Sequence, residues 1–147
     1  MKESIYKNSG RIIFFLFSIS IFFGFYLNED GSGGGASTDF NNTWQYILDL
    51  REDLLLTYMN WEHIHLPFHY IILSFINYFF TDKEQIRFIF CLISLSAPIL
   101  FYLGLRIKFH DLDKNLLLIF ASILLVLPTF RYTAIWANVQ ITALIFF

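Results

Sequence analysis

Apolar residues arrive in long uncharged runs separated by polar stretches. Residues 12–27 form the first run and 66–80 the second, which is interrupted by His69 and Asn77. Residues 88–105 form the third, 116–130 the fourth with Pro128 inside it, and 134–147 the fifth. A bilayer-spanning helix takes about 17–25 apolar residues, and several of these runs are shorter. Flanking Tyr, Trp, Lys and Arg extend them by holding polar ends at the interface. The pattern predicts an all-α, polytopic transmembrane fold with four full spans and a partial fifth. The last run, ITALIFF, has no polar cap, so the chain reads as the N-terminal part of a larger transmembrane domain. Lys2, Lys7 and Arg11 before the first run would also suit a secretory leader. The run is long and further spans follow, which favours an uncleaved helix.

The first two runs are separated by a loop, residues 28–65, that carries Arg51 against seven acids: Glu29, Asp30, Asp39, Asp49, Glu52, Asp53 and Glu62. SGGG at 32–35 leaves the backbone free to turn. Thr38 or Asp39 then suits a helix N-cap. Phe40, Trp44, Ile47, Leu48, Leu55 and Tyr58 follow at helical spacing and form one apolar stripe. That pattern predicts an amphipathic juxtamembrane helix lying flat in the interface, with Asp39 at its N-terminus above the headgroups. Basic residues before the first span put the N-terminus in the cytoplasm and loop 28–65 outside. TDKEQIR then returns inside, whereas RIKFHDLDKN puts three basic residues outside and disagrees with the rule.

Composition narrows the class. Hydrophobic residues make up 56% of the 147, charged residues 15%, and there are 19 phenylalanines. A soluble core of this size does not hide that much apolar surface, and a bilayer does. A net charge of −2 with no basic stripe gives no footprint for nucleic acid. Cys91, the one cysteine, sits in an apolar run and reads as a small hydrophobe.

Other short motifs carry little. The glycine run lacks the G-K-[ST] ending and the preceding strand of a nucleotide loop. Asn41-Asn42-Thr43 fits a glycosylation sequon, a pattern common by chance. WEHIHLPFHYIIL places His63, His65 and His69 at the entrance to the second run, with Pro67 suited to a first helical turn. His65 and His69 have i, i+4 spacing, but Glu62 is the only close acid, so a divalent metal is not indicated. Interfacial histidines are more often polar anchors.

Taken together, STDFNNTWQYILDL, IHLPFHYIILSFIN, IRFIFCLISLSAPILFYLGLRIKF and RYTAIWANVQITALIFF resemble the GT-C superfamily of membrane glycosyltransferases. The nearest likeness is to family 39, the protein O-mannosyltransferases and bacterial lipid A aminoarabinose transferases. It rests on the order of motifs over nearly the whole chain. The resemblance implies a multi-pass protein, of the bacterial inner membrane in the aminoarabinose branch, with loop 28–65 periplasmic or extracellular. It implies transfer of a sugar from a polyprenyl-phosphate donor to an extracytoplasmic lipid, glycan or protein acceptor, without a cofactor or a nucleotide sugar.

The family's loop acid falls on Asp39 as general base, with Asp30 the second candidate. The histidine before proline falls on His65, followed by Pro67 and Tyr70. His65, His69, Tyr70 and Arg131 are the candidates for holding the donor phosphate. Two departures stand out: Phe40 follows Asp39 where the family often has a second acid, and Leu66 stands where it often has a proline. A transporter or flippase, or a non-catalytic membrane module, are the rival classes. The near absence of charge inside the runs tells against an ion-coupled carrier.

Overall fold

The computed structural model describes the backbone of residues 2–29, 31 and 36–146, and side chains at residues 8–29, 31 and 40–146. Among these residues every regular element is helical. The helices are α1 (Lys2–Tyr26), α2 (Ala36–Glu52), α3 (Leu54–Met59), α4 (Phe68–Asn77), α5 (Lys83–Ser94) and α6 (Ser96–Lys108). They continue with α7 (Lys114–Ser122), a 3₁₀ turn (Ile123–Val126), α8 (Pro128–Trp136) and α9 (Val139–Phe146). Two helical stretches are long and apolar enough to cross a membrane, Asn8–Tyr26 and the α5–α6 rod Lys83–Lys108. The pair Lys114–Val126 and Pro128–Trp136, bent by 64°, makes a third if it is one span. An all-helical chain with such helices is consistent with a membrane protein.

The expected spans are corrected in three places. The run 66–80 yields only the ten-residue α4, about 15 Å long, half of a hydrocarbon core of about 30 Å. Its end is fixed by polar groups. Arg51 Nη1 donates to Asn77 Oδ1 (2.8 Å), Asn77 Nδ2 donates to the Phe80 carbonyl (3.2 Å), and Tyr78 Oη donates to the Arg51 carbonyl (2.6 Å). The chain turns there instead of continuing.

The runs 116–130 and 134–147 are cut differently. Proline disfavours helical geometry at the residue before it. Leu127 is accordingly extended (ψ 124°) and Pro128 opens α8. Ala137 then takes the left-handed conformation (φ 61°) and separates α8 from α9.

The expected single amphipathic helix is also two helices. Helix α2 starts at Ala36, so Asp39 lies within its first turn and is not its cap. Asp53 ends it: its carboxylate accepts from Leu56 N–H (2.9 Å) and caps α3. Of the expected stripe, Phe40 and Ile47 are buried and Trp44 packs against the core, as α2 lies against α4, whereas Leu55 and Tyr58 are exposed on α3; Leu50, outside the expected stripe, is buried with them.

The helices share two ends. At one, Gly10 N–H donates to Asn115 Oδ1 (2.6 Å), and Asn115 Nδ2 donates to Ser9 Oγ (2.7 Å). A Cβ at Gly10 would lie 2.6 Å from the Asn115 carbonyl oxygen, so glycine permits the close approach of α1 and α7. At the other end, Phe25 and Phe88 stack edge-on (5.6 Å) and Arg87 lies over Phe25 (5.5 Å).

Also at that second end, Lys83 donates to Asn41 (2.9 Å) and covers the Trp44 ring (5.3 Å). Lys83 and α2 are therefore neighbours. Helix α4 is shorter than a bilayer span, and the Lys83–Asn41 bond holds the start of α5 beside α2.

A partly buried ion pair closes the second end. Asn28 is left-handed (φ 53°) and turns the chain back beside α1. Glu29 thereby meets Arg131 on α8, both contacts at 2.5 Å. Arg131 also donates to Ser20 Oγ (2.8 Å), the Ser20 carbonyl (3.0 Å) and the Leu125 carbonyl (3.1 Å). Glycine is required at position 24, where a Cβ would collide with the Glu29 carboxylate and approach Arg131.

Candidate functional site

At the second end the helices leave a cavity of about 210 Å³. Its walls come from three places in the chain. The start of α2 contributes Phe40, Asn42 and Thr43, and the α3–α4 connection contributes His63, Ile64 and His65. Helix α4 adds His69 and Tyr70, and the α8–α9 corner adds Trp136 to Val139. Each part is placed by local chemistry already described: the α2 stripe holds its first turns against α4, and the turn at Ala137 brings the corner over the same space.

His63 is fixed by its surroundings. Its Nδ1 accepts from the His65 backbone N–H (3.2 Å) and lies 3.5 Å from Tyr70 Oη. In the neutral ring the proton is therefore on Nε2. The ring packs against Tyr46 (5.1 Å), Tyr70 (5.2 Å) and His65 (5.3 Å). Trp61 closes the group against Tyr46 and Tyr70 (both 5.3 Å), and its indole N–H donates to the His65 carbonyl (2.7 Å). Burial, and then the neighbouring His65, hold the His63 pKa below its ordinary 6.5. Both causes favour the neutral form of this imidazole.

His65 is exposed and lines the cavity. His69 is buried, with Nδ1 2.8 Å from Thr142 Oγ1 and a further hydrogen bond to the Ala137 backbone. It pins α4 to the α8–α9 corner and so shapes the cavity wall. Tyr70 is buried beside it.

The sequence-derived candidates thus separate. The structure brings His65, His69 and Tyr70 around one cavity. Asp39 belongs to the first turn of α2, one residue before the cavity-lining Phe40, and its side chain lies outside the described residues. Asp30 also lies outside them. Arg131 is not among the lining residues, and its guanidinium makes five hydrogen bonds within the protein. An arginine has five N–H groups, so none remains for a ligand phosphate. No cluster of three or more potential metal ligands occurs among the described residues.

Sequence reasoning missed Tyr46, Trp61 and the corner residues Trp136 to Asn138. Asn138 carried a usable signal, because Asn is a common helix cap. Its Oδ1 accepts from Gln140 N–H (2.8 Å) at the start of α9, and its own N–H donates to the Thr133 carbonyl (3.0 Å). Comparison of the chain with protein-family models, curated proteins and solved structures gives no match.

Proposed function

We propose that the protein is a membrane glycosyltransferase of the GT-C type that takes its sugar from a polyprenyl-phosphate donor. The observation that carries this reading is the cavity at the second end. It combines the first turns of α2, next to Asp39, with the His65–Pro67–Tyr70 stretch. These are the two motifs on which the resemblance rests, and they are far apart in sequence.

In this reading the Asp39 carboxylate takes the proton from an acceptor hydroxyl as its oxygen attacks the anomeric carbon. The bond from that carbon to the phosphate oxygen breaks, and the charge passes to the leaving lipid phosphate. His63 and His65 stabilise that charge as hydrogen-bond donors. His69, bonded to Thr142 and Ala137, positions the wall. Arg131 belongs to the scaffold and not to the donor site.

Charge distribution supports an integral, multi-pass protein with the cavity outside the cytoplasm. Lys2, Lys7, Arg11, Arg106, Lys108 and Lys114 fall at the end that holds Gly10 and Asn115, with Glu3, Asp111 and Asp113 the only acids there. Apart from Asp30, which lies outside the described residues, the remaining eight acids and four basic residues fall toward the cavity end. The loop RIKFHDLDKN thus joins the N-terminus on the positive side, and its conflict with the positive-inside rule disappears.

The test uses membranes carrying the protein and a radiolabelled polyprenyl-phosphate sugar. Asp39→Asn keeps a polar side chain in the first turn of α2 but removes the base. The expected outcome is loss of transfer by at least about a hundredfold, with donor binding and membrane insertion intact. Undiminished transfer by that variant would end the assignment of Asp39.

A further inference from the structure

We infer that residues 54–79 dip into one leaflet of the bilayer and return on the same face, so that lipid covers their exposed apolar surface. The inference concerns how the protein sits on its membrane and does not depend on the transfer chemistry.

The first observation is that the two ends of the segment are neighbours. Asn41 on α2 accepts from Lys83 at the start of α5, and Arg51 at the end of α2 is bonded to Asn77 and Tyr78. The chain therefore enters and leaves on one side. The only helix of any length between, α4, is about 15 Å long and cannot reach the other face.

The second observation is the surface it presents. Leu55 is 68% exposed, Met59 75%, Ile64 89%, Phe75 64% and Phe79 70%. Between Asp53 and Asp82 the one Lys, Arg, Asp or Glu is Glu62, in the connection between α3 and α4. A contiguous apolar surface of this kind on a folded chain marks contact with lipid or protein.

Two features favour lipid. The charged residues Glu52, Asp53, Asp82, Lys83 and Glu84 cluster where the segment begins and ends, as at a headgroup boundary. The apolar surface also continues into other helices: Phe68 meets Phe146 on α9 (5.1 Å), and Phe146 is itself exposed.

The depth is shallow. Irregular backbone is not stable facing hydrocarbon, and residues 60–67 are irregular. The segment therefore rests at the headgroup–acyl boundary, about 5–10 Å deep. Arg51 over the Tyr78 ring (5.5 Å) and Trp61 bonded to the His65 carbonyl sit as amphipathic anchors at that level.

The experiment uses the whole chain in phosphatidylcholine vesicles. An environment-sensitive fluorophore is attached at Leu55→Cys, Phe75→Cys or, as a further position, Leu66→Cys. Cys91 is buried and stays unlabelled. Lipids spin-labelled near the headgroup should quench all three more strongly than lipids labelled at the acyl terminus, with loss of quenching by aqueous iodide. Glu52→Cys and Thr81→Cys should react with an impermeant thiol reagent from the same face. Reaction from opposite faces, or stronger deep quenching at Phe75, would make the segment a span. Full iodide quenching would leave it in water, and cross-links between copies at position 55 would put a second copy of the chain there. Any of these overturns the inference.

Discussion

Arg131 and His63 show how much a single side chain decides here. Arg131 ties three parts of the chain together, because Glu29, both polar atoms of Ser20 and the Leu125 carbonyl all depend on it. Lysine has three donors on one atom and cannot reproduce that fork. Arg131→Lys is therefore expected to unfold in detergent nearly as early as Arg131→Met. Each should lose up to about 3 kcal/mol, the lower end for breaking a buried pair, since Glu29 is partly exposed. Removing both partners (Glu29→Met with Arg131→Met) should recover much of the loss. For His63 the direction follows from its lowered pKa. Between that value and 6.5 the unfolded chain binds the extra proton, so stability falls as pH drops through this window. Binding of an anionic polyprenyl phosphate should strengthen over the same window, because the protonated ring is the better partner. Thermal unfolding and lipid co-purification against pH measure the two effects, and His63→Gln should flatten both. The sequence shows the histidines but not their ranking. Which ring is buried and which faces the cavity depends on contacts with Thr142 and Tyr46, distant along the chain.

At the scale of elements, hydrophobic periodicity locates the helices better than it locates their ends. The first and third runs became α1 and the α5–α6 rod, and neither contains a charged residue. The second run failed at Asn77, where a side-chain bond to Arg51 wins over continued helix. The fourth is bent at Pro128, which breaks the helix between α7 with its 3₁₀ turn and α8. The αL residue at Ala137 had no signal, since alanine is a strong helix former. That position gives a clean test. A non-glycine residue there carries roughly 1–2 kcal/mol of backbone cost. Ala137→Gly should hold or raise the thermal midpoint. Ala137→Val should lower it, because the branched side chain meets both the strained backbone and a buried site.

For the whole molecule, the number of crossings sets which loops share a side. Counting as crossings only the helices long and apolar enough to span would put loop 28–65 with TDKEQIR and the N-terminus with RIKFHDLDKN. Composition alone had no means of showing this, because the tally of basic residues depends on which helices cross. Cysteines at Ser37 and Asp111 should react with an impermeant thiol reagent from opposite faces of sealed membranes. Reaction of both from the same face would mean either that the α5–α6 rod does not cross or that α4 crosses as well. The candidate site was legible as two motifs, since the resemblance paired the Asp39 region with the His65 region. That a third wall comes from the α8–α9 corner was not.

The bonds from α1 to later helices carry a consequence for biogenesis. Ser9, Gly10, Ser20 and Glu29 are all made about a hundred residues before Asn115 and Arg131 reach them. When α7 and α8 leave the ribosome, they present a proline break and a cation that an insertion machine would reject in isolation. Helix α1, long and apolar enough to cross a membrane, is complete by then, with Gly10 toward one end and the Glu29 carboxylate just beyond the other. The α1 region thus offers a docking template for α7 and α8, complete in the chain before either of them is made.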